Sequence, residues 1–219
     1  MNKPKEIKVL KQEKNKYSLL HEIVNKEKDK LKFISLEIGS SFLKKGELPK
    51  GILIIKKGIL SIKLLDQTDR KKFTIENLKK GDLAGADQII GQSNYSDIVA
   101  ATKVEGYFLE KKFFLEIINK NSQTINSYIK SSKYELYCTI SIFLFGKIQK
   151  SYEIFNILNS SSCDLEIETL NPGINNLQSN SGNYILSSPN IEGLNIGDTI
   201  KGPVSLNVLG DLPAILIKS

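Results

Sequence analysis

Residues 46–65 read GELPKGILIIKKGILSIKLL, residues 73–90 read FTIENLKKGDLAGADQII, and residues 96–109 read SDIVAATKVEGYFL. Short apolar runs are punctuated by Gly46, Gly51, Gly58, Gly81 and Gly85, at places where turns are needed. Ile52 and Ile54, then Leu60, Ile62 and Leu64, alternate with the period of a half-buried strand, and Gly58 marks the turn between them. The polar run Asp66 to Lys72 reads as a hairpin loop, after which Phe73, Ile75 and Leu78 resume the alternation. Lys79-Lys80-Gly81-Asp82 is a further turn, and Ile98 to Leu109 supplies the last strands. The pattern predicts an antiparallel β-roll over residues 33–110.

The flanks change period. Tyr17 to Leu31 carries Leu19, Leu20, Ile23 and Val24 on one side, as an amphipathic helix does, and residues 1–16 form a charged, flexible basic arm. From Glu110 onward Phe113, Phe114, Ile117 and Ile118 recur at helical spacing. Ser122 is an N-cap candidate for a longer helix bearing Ile125, Ile129, Leu136, Ile140 and Leu144, with helix continuing to Leu158. That stripe, with Tyr134, Tyr137 and Phe143, predicts a homodimer through residues 122–145. A fold-back of the C-terminal tail over the same stripe is the competing cover.

Residues 163–219 differ in kind. They are rich in Asn, Gly and Ser and hold four of the six prolines. Short β-like pieces stand at Leu165–Ile167, Tyr184–Leu186, Val204–Val208 and Ala214–Ile217, which predicts a small β-rich module. No internal repeat is evident in the sequence. The expected class is therefore α+β, with domain limits 1–16, 17–158 and 163–219 and helices over about 17–31 and 111–158.

Composition removes several functions. The 219 residues are 40% hydrophobic and 25% charged, ordinary for a globular protein. No apolar run reaches the roughly 18 residues that span a bilayer, and the Lys-rich N-terminus has no apolar signal core. These features lead to an expectation of a cytoplasmic chain without a transmembrane segment. Cys138 and Cys163 form no metal-ligand pair, and His21 is the only histidine. No zinc site, cofactor or catalytic set is expected, and the chain is read as non-enzymatic. The net charge of +7 is uneven: residues 1–32 hold ten lysines against five acids, and residues 163–219 hold two against six. A basic arm can meet nucleic acid or an anionic membrane surface. The lysines alternate with acids and the only arginine is Arg70, so nucleic acid is not an expected partner.

The order helix, β-roll, helices resembles the cyclic nucleotide-binding domain family over about residues 17–158. Gly46-Glu47 with Gly51, Leu53 to Gly58, Lys80-Gly81-Asp82-Leu83-Ala84-Gly85, and Val99-Ala100-Ala101-Thr102 match the family's landmarks in order. The resemblance implies a phosphate cassette: a short helical turn aiming backbone N–H groups at a cyclic phosphate. It also implies an Arg that neutralises the phosphate and a Glu that accepts from the ribose hydroxyl. Here Ala86 stands where the family has Glu, and Asn94, within a residue, where it has Arg. Residues 91–97, GQSNYSD, hold neither Arg nor Lys, and Asp87 and Asp97 add negative charge. The degenerate cassette is therefore assigned to Gly85, Ala86, Asp87, Asn94, Tyr95 and Ser96, with loss of nucleotide binding expected.

The tail pieces Glu168 to Gly173, Tyr184 to Ser188, Ile196-Gly197-Asp198 and Leu212 to Ile217 resemble a second group. This is the linker after the nucleotide-binding-like region of cyanobacterial-type peptidase-containing ABC exporters. The resemblance implies a regulatory or docking module associated with an ABC-type peptide exporter. The alternative is a transcriptional regulator of the catabolite-activator type, either responsive to cyclic nucleotide or ligand-independent. Pro172, Pro189, Pro203 and Pro213 cut every candidate helix-turn-helix in the tail, and its acidic balance opposes DNA.

Overall fold

The computed structural model describes residue 23 and residues 28–65, 72–120, 166–178 and 182–218. The basic arm, most of the helix expected over 17–31, the Asp66–Lys71 loop and the helix and dimer stripe expected over 122–158 lie outside the described residues. So do His21, Arg70, Cys138 and Cys163. The chain divides into two compact units: residues 1–63, 74–89 and 96–132, which hold most of the roll, and residues 64–73, 90–95 and 133–219, which hold the C-terminal strands.

The first unit opens with a 3-10 turn, Lys28–Lys30. Its strands are β1 (Lys32–Leu36), β2 (Ser41–Leu43), β3 (Gly51–Lys57), β4 (Leu60–Leu65), β5 (Lys72–Leu78), β6 (Leu83–Ala84), β7 (Asp97–Ala100) and β8 (Val104–Glu110). Helix α1 (Ala86–Gly91) interrupts them, and helix α2 (Lys111–Asn119) follows. Two four-stranded sheets, in the orders β1-β8-β3-β6 and β2-β7-β4-β5, make the antiparallel roll that the alternation predicts. In α2, Phe114, Ile117 and Ile118 are buried at helical spacing. The strand resembling the post-cassette segment ends at Ala100, and the chain bends at Ala101 and Thr102.

Two expectations need correction. Ile52, Leu53, Ile54 and Ile55 are all buried, so β3 is covered on both faces and is not a half-buried alternating strand. Gly51 makes no turn. It opens β3 opposite Glu110, and a Cβ there would run into the Leu109 carbonyl oxygen and lie 2.5 Å from Phe108 Cζ. The glycine is required by close approach of two strands. Gly46, Gly58, Gly81 and Gly85 do have positive φ, between 84° and 93°.

The second unit has six described strands: β9 (Ile167–Leu170), β10 (Gly173–Leu177), β11 (Asn183–Leu186), β12 (Thr199–Lys201), β13 (Val204–Val208) and β14 (Ala214–Lys218). The β11, β13 and β14 positions match the sequence expectation. Of the piece expected at Leu165–Ile167, Leu165 lies outside the described residues and β9 begins at Ile167, and β10 and β12 are additions to the sequence expectation. A core of Leu170, Leu177, Tyr184, Leu186, Ile200, Leu206 and Leu216 joins these strands.

The second unit repeats the topology of the first, which overturns the reading that the chain lacks an internal repeat. The sheet orders β1-β8-β3-β6 and β9-β14-β11-β12 correspond strand for strand, and the pair β10-β13 corresponds to β2-β7. The registers agree: Leu53↔Ala84 and Ile54↔Leu83 have counterparts in Tyr184↔Ile200 and Ile185↔Thr199. Ile54↔Tyr107 and Phe33↔Tyr107 have counterparts in Ile185↔Ile217 and Ile217↔Ile167.

One turn is reproduced bond for bond. Asp82 Oδ2 accepts from Lys79 N at 2.8 Å, Gly81 N donates to Ile55 O at 2.9 Å, and Ile55 N donates to Asp82 O at 3.1 Å. Correspondingly, Asp198 Oδ2 accepts from Asn195 N at 2.8 Å, Gly197 N donates to Leu186 O at 2.8 Å, and Leu186 N donates to Asp198 O at 3.0 Å. The second roll is shorter. The equivalent of β4 is one bridge, Ile191↔Val208, and Gly202-Pro203 alone joins β12 to β13, where the first roll inserts α1.

The two aspartates should therefore be interchangeable in effect. Asp82→Ala and Asp198→Ala are each expected to cost about 1 kcal/mol, the scale of one hydrogen bond to a turn amide. Urea titration of each single variant checks this, and a negligible loss at Asp198 beside a full loss at Asp82 would contradict the equivalence.

Candidate functional site

The segment joining β6 to β7 carries the residues assigned to the cassette. Gly85 leaves β6 with φ +88°, a left-handed conformation that suits glycine. It is also tightly seated: a Cβ there would lie 3.0 Å from Gly51 O and 3.3 Å from both Phe42 Cε1 and Pro49 Cβ. α1 starts at once, with Ile89 N donating to Gly85 O at 3.1 Å. The helical turn implied by the family resemblance is thus present at Ala86–Gly91.

Ala86 and Asp87 form the first turn of α1. Ala86 is wholly buried, so no polar group is presented from its position. Asp87 puts a carboxylate into the turn, next to the N-terminal amides that would otherwise favour an anion, and the last turn carries no base. Asn94, Tyr95 and Ser96 lie beyond the C-terminal end of α1, just before β7. Asn94 and Ser96 are buried, Tyr95 is half-buried, and each of the three is engaged by an interaction of its own. The assigned residues therefore stand at the two ends of one short helix, and residues 85–97 contain neither Lys nor Arg.

Asp97 follows, and its Oδ1 accepts from Lys45 N at 2.8 Å. That bond ties the β2–β3 loop to β7 through the Lys45 backbone. Gln92, one residue past α1, escaped the sequence reading. It has φ +53°, uncommon for a side chain larger than glycine, and its Nε2 is buried without a hydrogen-bond partner. Only the neighbouring Gly91 hinted at this bend. Among the described residues no group of His, Cys, Asp and Glu could hold a metal ion, and no helix is long and apolar enough to cross a membrane.

Known proteins bear on this segment. The family model described as cyclic nucleotide-binding domain matches residues 33–121. None of the curated proteins matches the chain. Among solved structures, a transcriptional regulator from Thermotoga maritima is 20% identical with a TM-score of 0.42, over 58% of this chain and 98% of that one. The regulatory domain of Toxoplasma gondii PKA with cAMP is 14% identical with a TM-score of 0.41, over 92% of this chain and 87% of that one. The family match, residues 33–121, spans less than half of the chain and runs from β1 through α2.

Proposed function

We propose that this chain is a non-catalytic regulatory or docking module whose cyclic nucleotide-binding-like roll has lost the nucleotide. The observation that carries the reading is Ala86. It is fully buried at the start of α1, where the family resemblance implies a ribose-binding carboxylate. Asn94, likewise buried and already engaged, stands where that resemblance implies a cation.

Removing one partner of a buried charge pair costs about 2–5 kcal/mol. Losing a hydrogen bond to a charged group adds about 1–3 kcal/mol. Together these weaken binding on the order of a thousandfold or more. Asp87 and Asp97 push further in the same direction. The second roll supports the reading independently, because it has no cassette helix between β12 and β13.

The degenerate cassette, Gly85, Ala86, Asp87, Asn94, Tyr95 and Ser96, is thus read as retained scaffold in a cytoplasmic protein. The proposed partner is an ABC-type peptide exporter, and exporter or peptide-precursor genes beside this one are the expected neighbourhood. An isolated gene would count against it. The catabolite-activator alternative is not favoured, since residues 166–178 and 182–218 contain strands and no helix pair to enter a DNA groove. The proposal includes a homodimer through residues 122–145. Analytical sedimentation should give a dimer, and a monomer at tens of micromolar would contradict this part.

Calorimetry with cyclic AMP and cyclic GMP is expected to give no micromolar isotherm. The double variant Ala86→Glu with Asn94→Arg should gain affinity if the cassette is aligned as described. A clear micromolar isotherm with the unaltered chain would sink the reading.

A further inference from the structure

Strand β10 pairs with β13 on one side, and among the described residues no strand lies on its other side. The backbone of β13 tells which groups of β10 face that open edge. Asn207 O accepts from Glu192 N at 3.0 Å and Leu209 N donates to Asn190 O at 2.8 Å, so Asn207 turns its backbone groups away from β10. In an antiparallel ladder, alternate residues address opposite edges. Ile174, the register partner of Asn207, therefore turns its N–H and C=O outward, and Asn176 does the same two positions on. Both residues are exposed, Ile174 to 77%. Asn175 Nδ2 donates to Asn171 O at 2.8 Å and to Gly173 O at 2.9 Å, which ties the strand to its entry turn.

Open edges in natural sheets are guarded by charged side chains or by proline within the strand. β10 has neither, and its ladder is neutral throughout: residues 169–191 and 202–210 hold no charged residue in a chain that is 25% charged. The first roll handles the same place differently. Its strand β2 is followed at once by Lys44 and Lys45. Ser41 stands there at the position of Ile174, since Ser41↔Val99 corresponds to Ile174↔Asn207. The second roll thus puts an apolar side chain on an unguarded edge where the first has a hydroxyl.

We propose that β10 is the docking edge for a second copy of this chain, paired antiparallel about a twofold axis at Asn175. In that register Ile174 lies opposite Asn176 of the second copy, and each such pair exchanges both of its N–H···O bonds. An axis at Ile174 would instead set Asn176 against Pro172, which has no N–H to give. The axis at Asn175 also lets the two Ile174 side chains meet diagonally on the outer face. A neutral edge suits a copy of itself, because a twofold contact brings any charge close to its like. A partner strand bearing lysines or acids would find no counter-charge on this ladder. The contact is separate from the dimer proposed through residues 122–145.

Two measurements on the full chain test it. Hydrogen exchange is followed as protein concentration is raised. The Ile174 and Asn176 amides should slow on the order of tenfold, while the Val208 amide, which faces β10 already, should not change. Cross-linking reads the register. Asn175→Cys, in a chain also carrying Cys138→Ser and Cys163→Ser, lies opposite itself at the axis with about 4.5 Å between Cα atoms, within disulfide reach. Oxidation should give a covalent dimer, and Asn207→Cys, one strand in from the edge, should give none. Adding Ile174→Lys and Asn176→Lys sets like charges opposite each other and should abolish both signals. The proposal is overturned if the two amides exchange at one rate at every concentration, as they would in a dimer held through residues 122–145 alone. It is equally overturned if folded Asn175→Cys stays uncrosslinked, or if it and Asn207→Cys cross-link to the same extent. Should Asn175→Cys fail to fold, the exchange of the unaltered chain decides.

Discussion

The pairing of β3 with β8 is the constraint around which the first roll is arranged. β3 is buried on both faces from Gly51 to Ile55, so water cannot serve its backbone groups and the neighbouring strands must. β8 lies on one side and β6 on the other, and the close approach of β8 at Gly51 leaves no room for a side chain. The same glycine sets the cassette: its carbonyl oxygen lies 3.0 Å from where a Gly85 Cβ would be. A chain that packs β3 this way therefore brings Gly85 and the start of α1 against the head of that strand, whether or not a ligand is ever bound. Shape and chemistry are separable in the proposed reading, in which the roll keeps the first while Ala86 and Asn94 stand where the family resemblance implies charged contacts.

The second roll carries that separation further. Its central sheet reproduces the order and register of the first, and the Asn195–Asp198 turn repeats the hydrogen bonds of Lys79–Asp82. What it omits are β5, most of β4 and the cassette helix, the parts dispensable to the central sheet. Ser188 Oγ, donating to Asn190 Oδ1 at 2.7 Å and accepting from Ile215 N at 2.9 Å, satisfies buried groups along the shortened connection. Asn190 Nδ2 completes the network by donating to Leu212 O at 2.8 Å. A fully satisfied polar network is what allows a connection this short to be buried without an unpaired group.

The roll was legible because its strands are short, apolar and separated by glycines that adopt left-handed conformations, as at Gly58 and Gly81. β3 was misjudged because a fully buried strand has no polar alternation to read, only an apolar run. β10 was missed because GINNL carries two asparagines in a strand that pairs with only one neighbour among the described residues. The repeat was invisible for a geometric reason. Deleting the hairpin shifts the turn relative to the strand, so Gly81 to Gly197 spans 116 positions and Ile55 to Leu186 spans 131. No fixed period survives that shift. At the cassette, the uncharged residues Ala86 and Asn94 could be read directly from the sequence, whereas the left-handed bend at Gln92 could not.

The central claim is that the first roll keeps the cassette's backbone but not its affinity for a cyclic phosphate. The most direct measurement is a nuclear magnetic resonance titration of the isotope-labelled chain with cyclic AMP, following the backbone amides of Gly85, Ala86 and Asp87. The family resemblance implies that those amides face the phosphate of an occupied cassette, so they would report occupancy whatever the side chains contribute. The account predicts that they stay fixed at nucleotide concentrations far above the micromolar range. Saturable shifts confined to those three amides, at micromolar nucleotide, would contradict it.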